Sequence, residues 1–219
     1  MSINISSYQS ILQQLKDKAT LVAVSKTKPI EDIEVLYNLG QHDFGENYVQ
    51  ELVDKEAKLP KDIRWHFIGH LQSNKVKYIA TFVHLIHGVD SLNLLKEINK
   101  QALKNNRIID CLLQVHIADE ATKFGFDANE LNQLTGIDEL KNIRIVGLMG
   151  MASFSDDLQK VRNEFKHLKN IFHHLQIPNH NLTILSMGMS GDYLLAIEEG
   201  SNMVRIGSTL FGARQYNAS

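Results

Sequence analysis

The stretch TLVAVSKTKPIEDIEVLYNLG, residues 20–40, contains one complete unit of the fold. Its first half is a short β-branched apolar run of strand length, ended by Lys26, Lys28 and Pro29. Its second half carries Ile30, Ile33, Leu36 and Tyr37 at helical spacing and stops at Gly40. The same alternation recurs to the end of the chain. HDFGENY is a weak strand, and VQELVDKEAKL after it is helical, with Val49, Leu52, Val53 and Ala57 on one side. IRWHFIG is a strand, and SNKVKYIATF a helix with Ser73 as its N-cap. LIHGVD leads to a helix that starts at Ser91, and IDCLLQVHIA to the short helix ANELNQLTGI. NIRIVGLMGM precedes the long helix DDLQKVRNEFKHLKNIFHHL; LTILSMG precedes DYLLAIEEG; NMVRIGST is the last strand. An amphipathic helix over about residues 5–18, with Ile11, Leu12 and Leu15 on one face, comes before the first unit.

Eight strand–helix units of about 25 residues fill the 219 residues. Strands separated by helices pair in parallel with right-handed crossovers. Eight such units point to an α/β fold closed as a (β/α)8 TIM barrel, in one domain spanning residues 1–219. The alternative is an open doubly wound sheet. Its dinucleotide-binding version would carry G-x-G-x-x-G after the first strand, where SKTKP stands.

Composition narrows the function classes. Apolar residues make up 43%, there are three prolines, and no Ser/Gly-rich linker divides the chain. The formal net charge is −2 with mixed signs, which argues against nucleic-acid or membrane partners. The one cysteine, Cys111, permits no internal disulfide and fits a reducing, cytoplasmic location. No segment reads as a signal peptide or a bilayer span.

The active end of such a barrel lies at the C-terminal ends of the strands. Val22, Val24 and Lys26 share a face by the period-2 rule, which puts a lysine at the floor of that end. In an apolar floor an amine loses affinity for its proton and becomes a nucleophile toward aldehydes. Taken alone, the stretch is better read as a lysine reaching for solvent at the rim. Two later turns raise the odds of chemistry. SMGMSGDYLLAIEEG places small residues before a helix, with Ser190 as N-cap and Asp192 in the first turn; RIGSTLFG repeats the device. Helix N-termini with flexible glycines bind anions, and phosphate sites follow strands seven and eight in many such barrels. A phosphorylated aldehyde would satisfy both ends.

VAVSKTKP, FGENYVQE, WHFIGHLQSNK, SMGMSGDY and VRIGSTLFG occur in this order along nearly the whole chain. Together they resemble the pyridoxal 5′-phosphate (PLP) homeostasis proteins, relatives of the N-terminal domain of alanine racemase. The resemblance implies a PLP-binding barrel of fold type III without the accompanying C-terminal β domain. It implies that Lys26 holds the cofactor as a Schiff base. It also implies that Ser190 and the Met189 backbone, with Gly207 and Ser208, hold the phosphate. Arg205 then faces the pyridine nitrogen, and Asn47 lies near the ring. Lys28 and Lys123 match further lysines of the pocket or its rim. The family function is intracellular PLP (vitamin B6) homeostasis, with PLP-dependent apo-enzymes as partners for delivery.

Arginine against the pyridine nitrogen disfavours protonation there and weakens the ring as an electron sink. No clear general acid or base serves the second face of a substrate, a loop tyrosine such as Tyr48 being an open candidate. The expectation is a monomeric PLP carrier with little or no turnover. The alternatives are a racemase-like PLP enzyme and a cofactor-free Schiff-base aldolase. His66 and His70 share strand parity but lack a third metal ligand, and read as satisfied barrel-mouth histidines. Of His173 and His174, one should face solvent. Cys111 reads as packing and Trp65 as remote from the site. Met149, Met151, Met187 and Met189 read equally as ring-lining or core residues.

Overall fold

Thr20 to Ala23 of strand β1, Thr20–Val24, pair on one side with strand β8, Met203–Ile206, and this pairing closes the sheet into a barrel. The computed structural model describes residues 3–118 and 124–212. The intervening strands are β2 (Asp43–Glu46), β3 (Arg64–Phe67), β4 (Leu85–Val89), β5 (Ile109–Val115), β6 (Ile143–Gly150) and β7 (Ile184–Ser186). All eight pair in parallel in chain order. The helices are α1 (Ile5–Leu15), α2 (Ile30–Asn38), α3 (Val49–Lys58), α4 (Val76–Ile79), α5 (Leu92–Lys104), α6 (Ala128–Asn132), α7 (Leu158–His174), α8 (Tyr193–Glu198) and α9 (Ser208–Phe211). The chain is a (β/α)8 TIM barrel.

Side-chain alternation divides the core into two shells. Outward residues such as Phe44, Trp65, Ile86, Leu113 and Val204 pack against the helices and form the larger apolar cluster. Inward residues Val22, Leu85, Leu112, Met149 and Met203 form a smaller one inside the barrel. The barrel interior also holds polar groups, all buried: Asp43, His66, His87, Gln114, Ser186 and Arg205. No described helix is long and apolar enough to cross a membrane.

Several boundaries depart from the sequence reading. Helix α1 stops at Leu15, where Lys16 turns to a φ of 44°. The stretch from residue 73 is not one helix capped by Ser73. Ser73–Lys75 form a 3-10 turn after Gln72, and only one turn of α4 follows. Ser208 and Thr209 open α9 instead of ending β8. His173 and His174 are both exposed, because they sit in the last turn of α7. Ser91 does cap α5, accepting from the Leu94 N–H at 3.3 Å.

Candidate functional site

A cavity of about 880 Å³ opens at the C-terminal ends of the strands. Lys26, Lys28, Asn47, Met189, Ser190, Arg205, Gly207 and Ser208 all line it. Lys123 lies outside the described residues.

Strand β1 ends two residues earlier than the alternation suggests, so Lys26 sits in a turn. The turn closes with the Lys28 N–H donating to the Ser25 carbonyl at 3.0 Å. Thr27 has a φ of 63°, a left-handed conformation costly for a β-branched residue. Helix α3 holds it there: the Thr27 N–H donates to Glu51 Oε1 at 2.6 Å. Lys55, one turn further along α3, donates to Glu51 at 2.7 Å, to Glu46 Oε1 at 2.7 Å and to the Ser25 carbonyl at 2.8 Å. The Ser25 hydroxyl donates to Glu46 at 2.6 Å. Both neighbours of Lys26 are thus tethered from behind, which leaves the lysine side chain on the cavity side. Glu46 is completely buried, and burial pushes its carboxyl up to about 7 despite the attraction of Lys55. The sequence reading missed this cluster. Its signal was Lys55 on the face of α3 shared with Leu52, three residues apart on the buried side.

At the opposite wall two turns meet. Ser190 does not cap the helix after β7. Asp192 occupies the cap position of α8, and the Ser190 hydroxyl instead accepts from the Gly207 N–H at 3.2 Å. That bond stitches the turn after β7 to the turn after β8. The Met189 N–H, expected among the anion donors, is taken by Asp192 Oδ1 at 2.5 Å. Neither α8 nor α9 has a side-chain cap; at the start of α8 the Asp192 and Tyr193 N–H groups donate to the Met189 carbonyl at 3.1 and 2.9 Å. Gly188 bends the first turn at a φ of 96°; a Cβ there would stand 2.6 Å from the Ala196 Cβ.

Arg205 forms the floor. Its Nη1 donates to the Ser186 carbonyl at 3.0 Å and to the Ser186 hydroxyl at 2.7 Å; its Nη2 donates to the Gly150 carbonyl at 3.2 Å. Complete burial pulls its pKa down to about 10, so it remains a cation at neutral pH. Asn47 stands in the wall with its Oδ1 buried and unpaired, the kind of acceptor that a ligand completes.

The histidines separate. His66 points into the barrel interior, not to the mouth, and contacts Asp43 and His87. His70 lines the cavity, pairs through Nδ1 with Asp90 at 2.9 Å and stacks on Phe124. The methionines divide too: Met151 and Met189 line the cavity, while Met149 and Met187 are core. Tyr48 is exposed and does not line the cavity. Trp65 is buried on the outer face of β3 beside Phe44. Cys111 is buried, and burial pushes its thiol pKa far up, which makes it a packing residue.

Comparison with known proteins places this geometry. The family model of the alanine racemase N-terminal domain matches residues 3–215. The pyridoxal phosphate homeostasis protein of Aquifex aeolicus is 45% identical over 201 residues, covering 90% of this chain and 88% of that one. Its Escherichia coli K12 counterpart is 37% identical over 206 residues, covering 92% and 88%. Among solved structures, PipY of Synechococcus elongatus without PLP superposes with a TM-score of 0.90 at 35% identity, covering 94% of this chain and 99% of that one. PipY with PLP bound gives 0.87 at the same identity and coverage. Alanine racemase of Clostridium difficile shares the fold at a TM-score of 0.76 and 15% identity, over 97% of this chain and 60% of that one. The chain therefore belongs to the pyridoxal phosphate homeostasis proteins, within the family of the alanine racemase N-terminal domain.

Proposed function

We propose that this protein binds PLP in the barrel-mouth cavity and serves PLP homeostasis by buffering the cofactor or delivering it to PLP-dependent apo-enzymes. The observation that carries the reading is the joint placement of groups in one cavity. An amine on a tethered turn, two stitched helix-start turns, a buried arginine and an unpaired amide oxygen meet there. A phosphorylated pyridine aldehyde has a matching group for each. The Lys26 amine forms a Schiff base with the aldehyde, releasing one water. The turns carrying Ser190, Gly207 and Ser208 take the phosphate through backbone N–H and hydroxyl donors. Arg205 meets the ring nitrogen, and a permanent cation there keeps that nitrogen unprotonated. When bound, PLP would supply an electron sink, which this cation weakens. That balance favours holding over turnover.

One observation favours a second reading, a racemase-like enzyme. His70, oriented by Asp90 and stacked on Phe124, gives the cavity wall a group able to move a proton. Purified protein incubated with single enantiomers of amino acids separates the two. The carrier reading expects no inversion above the rate of free PLP. Sustained inversion abolished in His70→Gln would establish the enzyme. Binding itself is tested by colour: the protein mixed with PLP turns yellow, and Lys26→Ala does not.

A further inference from the structure

Beneath Arg205 the barrel interior holds a line of polar side chains that the binding of a cofactor does not use. Asp43 on β2 lies 3.0 Å from His66 Nε2 on β3. His66 Nδ1 lies 2.9 Å from His87 Nε2 on β4. His87 Nδ1 lies 3.4 Å from the Ser186 hydroxyl on β7, which accepts from Arg205 at 2.7 Å. The line runs from the N-terminal end of the barrel, where Asp43 also accepts from Arg64 Nε at 2.8 Å, to the cavity floor.

The chemistry of the two ends fixes the direction of every bond. A guanidinium only donates, and an ionised carboxylate only accepts. Burial works against ionised Asp43, but hydrogen bonds from Arg64 and His66 overcome it and hold the carboxyl well below its usual range. Burial, with His66, Arg205 and His84 nearby, keeps the His87 ring neutral. If His66, like His87, holds a single ring proton, each imidazole has one N–H and one acceptor nitrogen. Ser186 has one O–H. A single arrangement then satisfies every bond: Arg205 donates to Ser186, Ser186 to His87, His87 to His66, and His66 to Asp43. Both imidazoles carry the proton on Nε2. Among the described residues Arg205 has hydrogen bonds to Ser186 and Gly150 and none to a carboxylate. Asp192 acts on it only through its field.

We infer that Asp43 is a positioning residue for the cofactor site at the far end of the barrel: through this one-way chain it keeps the Ser186 oxygen turned to Arg205 and seats the guanidinium under the pyridine ring. The inference rests on the reading of the cavity as a PLP site.

The test has two arms. In the first, long-range proton–nitrogen spectra of the PLP-free protein at pH 8.5 assign the ring protons. The expected result is Nε2–H at both His66 and His87 in the wild type. Asp43→Asn keeps the shape but donates to His66, so both rings should switch to Nδ1–H. Arg64→Met, which removes the same ion pair from outside the chain, should leave both at Nε2–H. In the second arm, PLP affinity should fall about tenfold in Asp43→Asn, roughly the worth of one hydrogen bond, and change less than twofold in Arg64→Met. Nδ1–H or an imidazolium at either ring of the wild type would overturn the inference, as would unchanged affinity in Asp43→Asn. If Asp43→Asn does not fold, Ser186→Ala takes its place. Asp43 still orients both rings, so His66 and His87 should then both stay at Nε2–H, and affinity should fall by a similar factor; unchanged affinity again rejects the inference. A wild type that takes up no PLP at all refutes the binding reading, while the tautomers still decide the chain.

Discussion

Thr27 shows at the scale of one residue what the site demands. A β-branched residue in the left-handed region is strained, and the chain tolerates it because Glu51 and Lys55 grip both sides of Lys26. Glu51→Ala removes the acceptor of the Thr27 N–H. It should cost about 1–2 kcal/mol of stability. It should also slow the reaction of Lys26 with PLP about tenfold, because a loosened turn loses its approach angle. Stopped-flow absorbance gives the rate, and an unchanged rate would show that the tether is irrelevant to reactivity. Glu46 predicts a pH effect. Burial raises its carboxyl from 4.5 in the unfolded chain to about 7 in the fold. A raised pKa means that the folded state holds the proton more tightly. Its contribution is therefore fully present below about pH 4.5 and drains away as pH rises through 7. The loss amounts to about 3 kcal/mol. Glu46→Gln cannot ionise, so its unfolding free energy should decline less by that amount between pH 4 and 8. Urea denaturation across that range reads it, and parallel profiles for the two proteins would contradict the burial argument.

At the scale of elements, the weakest-looking seam lies beneath the turns that carry Ser190 and Gly207. The β7–β8 ladder registers one Cα pair, Ser186 with Met203. Side chains complete it: the Ser201 hydroxyl reaches the carbonyls of Met187 at 2.7 Å and Met203 at 3.0 Å, and Asn202 bonds Thr183 and Leu185. Between β6 and β7 the strands approach so closely that a Cβ on Gly147 would stand 1.8 Å from the Ile184 carbonyl oxygen. Gly147→Ala should therefore cost more than about 3 kcal/mol. Gly136→Ala, at a positive φ but with open space around it, should cost about 1 kcal/mol. Denaturant titration of both variants decides; equal losses would mean that conformation, not contact, sets the cost. These elements also show what the sequence made legible. Continuous apolar runs such as LVAV, buried on both faces, and period-3.6 runs such as IEDIEVLY, buried on one, marked all eight strands and most of the helices between them. Caps were harder to read. Ser73 and Ser190 are good cap residues, but Ser73 became the first residue of a 3-10 turn and the Ser190 hydroxyl was claimed by the Gly207 N–H. The tether of Lys26 and the His66–His87 line join residues of different units, and no local period records such contacts.

At the scale of the whole molecule, the segment after the first strand and helix α9 are held together across 183 residues of sequence. Lys28 donates to the carbonyls of Phe211 at 2.7 Å and Gly212 at 3.2 Å, and the Asn4 N–H donates to the Leu210 carbonyl at 2.9 Å. Ser208 and the turn after β8 thereby depend on the turn that carries Lys26. Lys28→Met should weaken PLP binding about fivefold to tenfold, in line with the loss of a charged hydrogen bond, while the barrel stays folded by circular dichroism. Unchanged affinity would mean that the closing turn holds its place unaided. The whole account depends on one amine being the point of attachment. The direct measurement is peptide mass spectrometry after borohydride reduction of the protein incubated with PLP. The account predicts one phosphopyridoxyl adduct, on Lys26, absent in Lys26→Ala. An adduct on another lysine with Lys26 unmodified, or none on the folded protein, would contradict it.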